Sequence, residues 1–451
     1  MRNKLLILIS LIGLTVFVSP VGAQTALEQP LTLDSCLRAA KENNSAIRSA
    51  QLDVLVSQEV KKQMLWKFFP QVSIEGFAFQ AVQPLVDADV TSMGLQGGTS
   101  DFLKNVFDLL NRIDSTANLS SEVKWLRWGA AVQARAAQPV YWGGQIVTAN
   151  KLAKLGIEAS SLKQEMTERD VLQEVTETYW LAAGLAEKRA TVTKVTELLD
   201  SIADVAQAAY NHGLVTRNDL LRVQLKQNEM QTKAMQLENG IQLVERLLCH
   251  LIGQTYDAEL TLQTIPEKAS SPFSLNGSSN RPEFKLLDVN VRYNQLMRRL
   301  TLGESLPHLA IGISGGYSNF FEKNTFNGLA FATLSIPITG WGETAHKLRQ
   351  HDLQIRQAEL MKEDLQGKLL LQNRQVYDQL IEADKLVEQH QTGRDLAEEN
   401  YRVALLNYTS GVATMTELLE AEALLLQAEN AYTDARITYL CAERKFNDYN
   451  K

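Results

Sequence analysis

Pro139-Val140-Tyr141-Trp142-Gly143-Gly144 and Pro337-Ile338-Thr339-Gly340-Trp341-Gly342 are two versions of one segment, 198 residues apart. The same offset places Tyr210 on Tyr408, Gly213 on Gly411, Thr216 on Thr414, Asp219 on Glu417 and Leu220-Leu221 on Leu418-Leu419. No insertion separates these pairs, so the chain is an internal duplication. Upstream, Phe69-Pro70-Gln71 matches Leu306-Pro307-His308, and the first half carries 39 more residues between its two prolines than the second.

Each half reads as a helix running into a proline, two alternating stretches, then a Pro…Gly segment leading into a very long helix. A tight turn at a glycine and a returning helix complete it. From Gly144 to Tyr210 there is no proline. Apolar or small residues recur there at Leu172, Val175, Tyr179, Ala182 and Ala186, then at Val192, Val195, Leu199, Ile202, Ala206 and Ala209. Spacings of three and four make a coiled-coil seam. In the second half Val376, Leu380, Ala383, Val387, Ala397, Tyr401, Ala404 and Tyr408 form the seam, with His390 and Arg394 between. Nearly seventy helical residues at ~1.5 Å each predict a rod of roughly 100 Å. The returning helices are expected over 217–252 and 415–449. Thr32–Trp66, interrupted at Asn43-Asn44, and Pro282–Leu302 supply the remaining rod length.

The alternating stretches are strand candidates near 71–82, 124–138, 308–318 and 326–337. Trp128, Ala130, Val132, Ala134 and Ala136 alternate with Arg127, Gln133 and Arg135, the apolar-out, polar-in pattern of a membrane barrel strand. Four strands cannot close alone, and an open sheet with a bare apolar face invites edge pairing. Several chains contributing four strands each resolve this, so an oligomer is expected.

The N-terminus carries Arg2 and Lys4, an apolar run from Leu5 to Val18, then Val21-Gly22-Ala23. That is the pattern of a cleaved secretory signal peptide over 1–23, too short for a membrane span. The formal net charge of -7 argues against nucleic acid as a partner. Three widely spaced cysteines, Cys36, Cys249 and Cys441, form no disulfide framework and read as small buried side chains. No HExxH, CxxC or phosphate-cradling glycine loop appears, so no enzyme activity, metal or cofactor is expected.

These motifs together, in order and inside a repeat, resemble the TolC family of outer-membrane efflux and secretion proteins. Leu31-Thr32-Leu33-Asp34, the two Leu/Phe-Pro segments, the two Pro…Gly segments, Arg281-Pro282-Glu283, Tyr210-Asn211-His212-Gly213 and Tyr408-Thr409-Ser410-Gly411 carry the resemblance. It implies a mainly α chain with a small β part. Two long antiparallel coiled-coil hairpins would join four membrane strands per chain in a homotrimeric twelve-stranded barrel above an α-helical periplasmic tunnel. Repeat 1 then covers 32–253, an equatorial linker 254–281, and repeat 2 282–451. The implied role is an exit duct for a tripartite efflux pump or type I secretion system. Its partners would be a periplasmic adaptor, an inner-membrane transporter and outer-membrane lipid. A secreted coiled-coil scaffold without a pore is the alternative.

The resemblance also assigns sites. Pro139, Gly144, Pro337 and Gly342 become strand-to-helix swivels. The tunnel constriction falls at Tyr210, Arg217, Asp219, Arg222, Tyr408, Glu417 and Glu420. Threefold repetition would turn its carboxylates into rings that set selectivity and aperture. The family's arginine position holds Ala413, with Arg217 and Arg222 as substitutes on the other hairpin. Gly213, Leu214, Val215, Thr216, Gly411, Val412, Ala413 and Thr414 become adaptor-docking tips. The structural alternatives are a solvated helix face for the charges and simple turn packing for the tips. The long first loop, about 84–121, is a lid, or a packing helix over its apolar stretch 102–113.

Overall fold

The computed structural model describes residues 31–82, 86–89, 122–125, 128–213, 215–256, 260–266, 281–320 and 323–450. The signal-peptide segment, the apolar stretch 102–113, Leu214 and most of the linker lie outside them. In chain order the elements begin with α1 (Leu33–Asn43), α2 (Ser45–Trp66), β1 (Gln71–Gln80), β2 (Val86–Asp89), β3 (Glu122–Trp125) and β4 (Trp128–Trp142). They continue with α3 (Gln145–Asn211), α4 (Arg217–Leu251), α5 (Pro282–Glu304), β5 (His308–Phe320), β6 (Lys323–Ser335), α6 (Trp341–Thr409) and α7 (Met415–Asn450). The fold is mainly helical with a small antiparallel sheet. Its two longest helices, α3 and α6, run unbroken for 67 and 69 residues. Among the described residues no helix is long and apolar enough to cross a membrane.

The described residues divide into two compact units. One takes in the described parts of Met1–Asn44, Glu174–Ser270 and Ala383–Cys441. Its core is the predicted seam: Leu199, Ile202 and Ala206 of α3 pack with Leu220, Val223 and Met230 of α4 and with Met415, Leu418 and Leu426 of α7. Ala404 and Tyr408 of α6 join them. Arg394 interrupts the seam in sequence, and its guanidinium lies 4.6 Å from the Tyr432 ring centre, a cation–π contact that tolerates a charge there. Two ends are tied in by hydrogen bonding. Thr32 opens α1 with a capping box to Ser35, and the Tyr179 hydroxyl donates to Leu31 O at 2.7 Å while accepting from Gln263 N at 3.2 Å. Part of the linker is thereby fixed, with Ile265 buried. Cys36 and Cys249 are buried as expected, whereas Cys441 is only half-buried, and no disulfide joins any of the three. Burial pushes Cys36 and Cys441 up to about 12, so neither is a reactive thiolate at neutral pH.

The other unit comprises Ser45–Gln173, Ser271–Glu382 and Ala442–Lys451 in their described parts. Its sheet has the order β1-β4-β5-β6, every pair antiparallel, with β2-β3 forming a separate two-stranded ribbon in the first hairpin. Register puts Val72, Ile74, Val132, Ala134, Ile313, Tyr317, Phe326 and Leu334 on one face. Ser73, Glu75, Gln133, Arg135, Ser314 and Asn327 share the other. The apolar face is bare among the described residues: Ile74 is 74% and Phe326 76% exposed.

The two Pro…Gly segments diverge. Pro139 lies inside β4, where the pairing with β5 slips by one residue between Pro139 and Tyr141. Proline lacks the ladder donor, and a bulge accommodates it. The extra residue turns Trp142 from the apolar face, where even-numbered positions of β4 point, onto the polar face opposite His308. Gly143 and Gly144 then take φ of 59° and 76°. In the second repeat β6 ends at Ser335, Pro337 precedes a 3-10 turn over Ile338–Gly340, and Gly342 is already helical. The aligned glycines therefore do different work: Gly144 makes the turn, and Gly342 lies in the first turn of α6.

Candidate functional site: the hairpin tips and their buried charge

The two interhelical turns are built alike. After Tyr408, Gly411 takes φ 75°, its amide donates to Tyr408 O at 3.0 Å, and the Val412 amide donates to Asn407 O at 2.8 Å. This is a Schellman closure, which requires a residue tolerant of left-handed backbone. Gly213, at φ 71°, makes the equivalent bond to Tyr210 O at 2.9 Å.

Both returning helices then open on a capping box. The Asp219 amide donates to Thr216 Oγ1 at 3.3 Å, and the Thr216 amide donates to Asp219 Oδ2 at 3.1 Å. Glu417 and Thr414 repeat the pair, at 3.3 and 2.8 Å. Two of the three carboxylates assigned to the constriction are thus also the residues that start α4 and α7. Sequence reasoning missed this role, although T-x-x-D and T-x-x-E are its written signature.

The other residues assigned to the constriction separate by environment. Tyr408 is half-buried against the tip core, and its hydroxyl is raised above its ordinary value by burial and by the Asp219 charge. The structure therefore brings Tyr408 and Asp219 together from different hairpins. Arg222 reaches across as well, donating to Thr416 Oγ1 at 3.2 Å. Tyr210, Arg217 and Glu420 are exposed, and Arg217 and Glu420 have no ion-pair partner among the described residues. Of the tip residues, Gly213, Thr216, Gly411, Val412 and Thr414 are exposed, and Val215 and Ala413 are half-buried. Val412 is 78% exposed.

One feature of this region has no counterpart in the assigned set. Glu422 of α7 is 2% exposed, 3.6 Å from Lys226 Nζ of α4, and neither of its carboxylate oxygens accepts a hydrogen bond. The Tyr401 hydroxyl of α6 is also buried without a partner. Burial raises the Glu422 carboxyl, against the lowering pull of Lys226, and it raises the Tyr401 hydroxyl with the help of the Glu422 charge. Met415, Leu418, Glu422 and Leu426 recur at seam spacing, so a charge at a core position was the available signal.

In the sheet-bearing unit, Arg281 and Glu283, from the Arg-Pro-Glu segment, form a second buried charge group. Glu283 Oε1 lies 2.7 Å from both Arg169 NH2 and Arg281 NH2, and Arg281 stacks 4.0 Å over Tyr449. Burial raises the Glu283 carboxyl, but hydrogen bonds from Arg169 and Arg281 outweigh it and bring it down to about 2. This group fixes α5 against α3 and the end of α7.

Residues 279–446 match the family described as outer membrane efflux protein. Among characterised proteins the chain is 24% identical over 257 residues to the alkaline protease secretion protein AprF of Pseudomonas aeruginosa. That alignment takes in 54% of this chain and spans only about half, 53%, of the relative's length. Among solved structures, the outer membrane protein VceC of Vibrio cholerae superposes with a TM-score of 0.72 at 13% identity, over 93% of this chain and 96% of that one. The Campylobacter jejuni CmeC outer membrane channel gives 0.74 at 14% identity, over 92% and 85%.

Proposed function

We infer, for a chain whose residues 279–446 match the outer membrane efflux protein family and whose fold is that of outer-membrane channels, the role of an outer-membrane exit duct. The duct serves a tripartite efflux pump or a type I secretion system, passing cargo from an inner-membrane transporter to the outside. The observation that carries this is the sheet. Its apolar face is exposed on every strand, its other face carries Ser73, Glu75, Gln133, Arg135, Ser314 and Asn327 among a few apolar side chains, and its edge strands β1 and β6 have no further strand partner among the described residues. Lipid covers such an apolar face, and neighbouring copies pair such edges. Three copies give twelve strands, a number that closes a barrel where four do not.

The helical hairpins descend into the periplasm, and the tips at Gly213 and Gly411 meet a periplasmic adaptor. The exposed Val412, with Ala413 next to it in the chain and Val215 on the other tip, supplies the apolar part of that docking surface. Tyr408, Asp219, Arg222 and Glu420 surround the constriction, and Pro139 with Gly144 and Pro337 with Gly342 form the passage from barrel to tunnel. A pore-free scaffold would gain nothing from a sheet sorted into apolar and polar faces. The test is to extract the protein from outer membranes, measure its mass in detergent and reconstitute it in planar bilayers. A trimer that conducts supports the duct. A monomer without conductance, recovered outside the outer membrane, overturns it.

A further inference from the structure

We propose that the polar face of the sheet carries, where it meets the helices, a binding recess for flat aromatic anions. The proposal rests on the duct reading for its place on the exit path, since the polar face is the one that faces the lumen.

The recess is about 730 Å³, within the range of small-molecule pockets, ~300–1,000 Å³. Its wall combines aromatic surface with positive charge. Trp142 stacks on His308, with ring centres 4.6 Å apart and planes inclined by 3°. Trp142 is still 39% exposed, so another flat ring can extend the stack. Trp142 reaches this face only because the bulge at Pro139 shifts β4 by one residue; without it the indole would point with Val132 and Ala134. Across the recess the Arg135 guanidinium lies 4.8 Å from the Phe331 ring centre, and Lys67 comes from the turn after α2. Neither Lys67 nor Arg135 has a carboxylate partner among the described residues. The single acidic lining residue, Glu304, is exposed and faces the field of Lys347. Two unpaired cations, a stacking platform and a guanidinium held over a ring select an aromatic ring bearing a carboxylate or sulfonate.

The test is equilibrium dialysis of 2-naphthalenesulfonate against the full-length protein in detergent, with 2-naphthylmethylammonium as the cationic counterpart. Saturable binding at one site per chain is expected. Arg135→Gln and Lys67→Gln should each weaken it at least fivefold, and the cationic probe should bind at least tenfold more weakly. Lys67 is on an exposed turn, so its variant tests the recess even where Arg135→Gln disturbs the sheet. Uptake that does not saturate, that is equal for both probes, or that survives the double substitution overturns the proposal. Bilayer conductance of the same preparation reports separately on the duct: conducting protein that binds no probe removes the recess alone, and binding by a protein that forms no pore removes the duct.

Discussion

The Glu422 carboxylate sits 3.6 Å from the Lys226 ammonium, in the core where α4, α6 and α7 meet, and accepts no hydrogen bond. At that distance the pair has Coulomb attraction without the bonds that offset desolvation. Burial wins, and the carboxyl is raised. Glu229, Lys233 and the Tyr401 hydroxyl complete its surroundings. A carboxyl whose folded value exceeds its unfolded one binds extra protons in the folded state, so stability falls as pH rises from about 4.5 through the raised value. Glu422→Gln should therefore remove that decline. Thermal unfolding at pH 5 and pH 7.5 checks it: the wild type should lose Tm between the two and the variant should not, ending up about 1 °C above wild type at pH 7.5 if the relief is ~1 kcal/mol. A Tm drop at both pH values would show that the Lys226 pairing dominates.

Glu283 has the opposite sign. Held at about 2 by Arg169 and Arg281, its stabilising contribution is complete above the unfolded value near 4.5 and is lost as pH falls from there toward 2. Glu283→Gln leaves two largely buried guanidinium groups without their shared counter-charge, a change that costs about 3–5 kcal/mol. Denaturant unfolding at pH 7 should show that loss. The gap between wild type and variant should shrink as pH is lowered toward 2. A gap independent of pH would mean the defect is packing against Tyr449 and not charge.

How far the sequence could be read depended on how local each signal is. The seam from Leu172 to Ala209 and the turns at Gly213 and Gly411 depend on spacing and on single residues, and both were visible. The faces of β4 were visible as alternation. Its end was not, because alternation cannot report an inserted residue: Trp142 reads as apolar-facing until the register with β5 shows the slip at Pro139. The local backbone at the two swivel glycines was hidden for a related reason. Gly144 and Gly342 align, but one follows a strand that runs through its proline and the other follows a 3-10 turn. At the tips, the positions of Tyr408 and Asp219 beside the two turns were legible, whereas the capping-box role of Asp219 was not. Glu422 was passed over because a charge search looks to exposed turns and not to core positions.

The glycine distinction predicts opposite outcomes for one substitution. Gly144 has φ 76° with open space around its Cβ position, so Gly144→Ala meets only backbone strain, ~1–2 kcal/mol. Gly342 is helical and equally uncrowded, and Gly342→Ala should stabilise by ~0.5–1 kcal/mol. Chemical denaturation of the two variants measures both. Equal effects would contradict the divergence of the two segments.

The tip carboxylates should separate by role in the same way. Asp219 and Glu417 each accept the amide of their cap threonine, so Asp219→Asn and Glu417→Gln weaken a helix start, at ~0.5–2 kcal/mol, as well as removing charge. Glu420 is exposed and caps nothing. Glu420→Gln should leave Tm unchanged and, in a threefold duct, remove three negative charges at the narrow end. Bilayer recordings under a salt gradient should then show a reversal potential shifted away from cation preference, while circular dichroism melts overlay those of the wild type. An unchanged reversal potential would place Glu420 away from the ion path and leave Asp219 and Glu417 as the carboxylates that could face it.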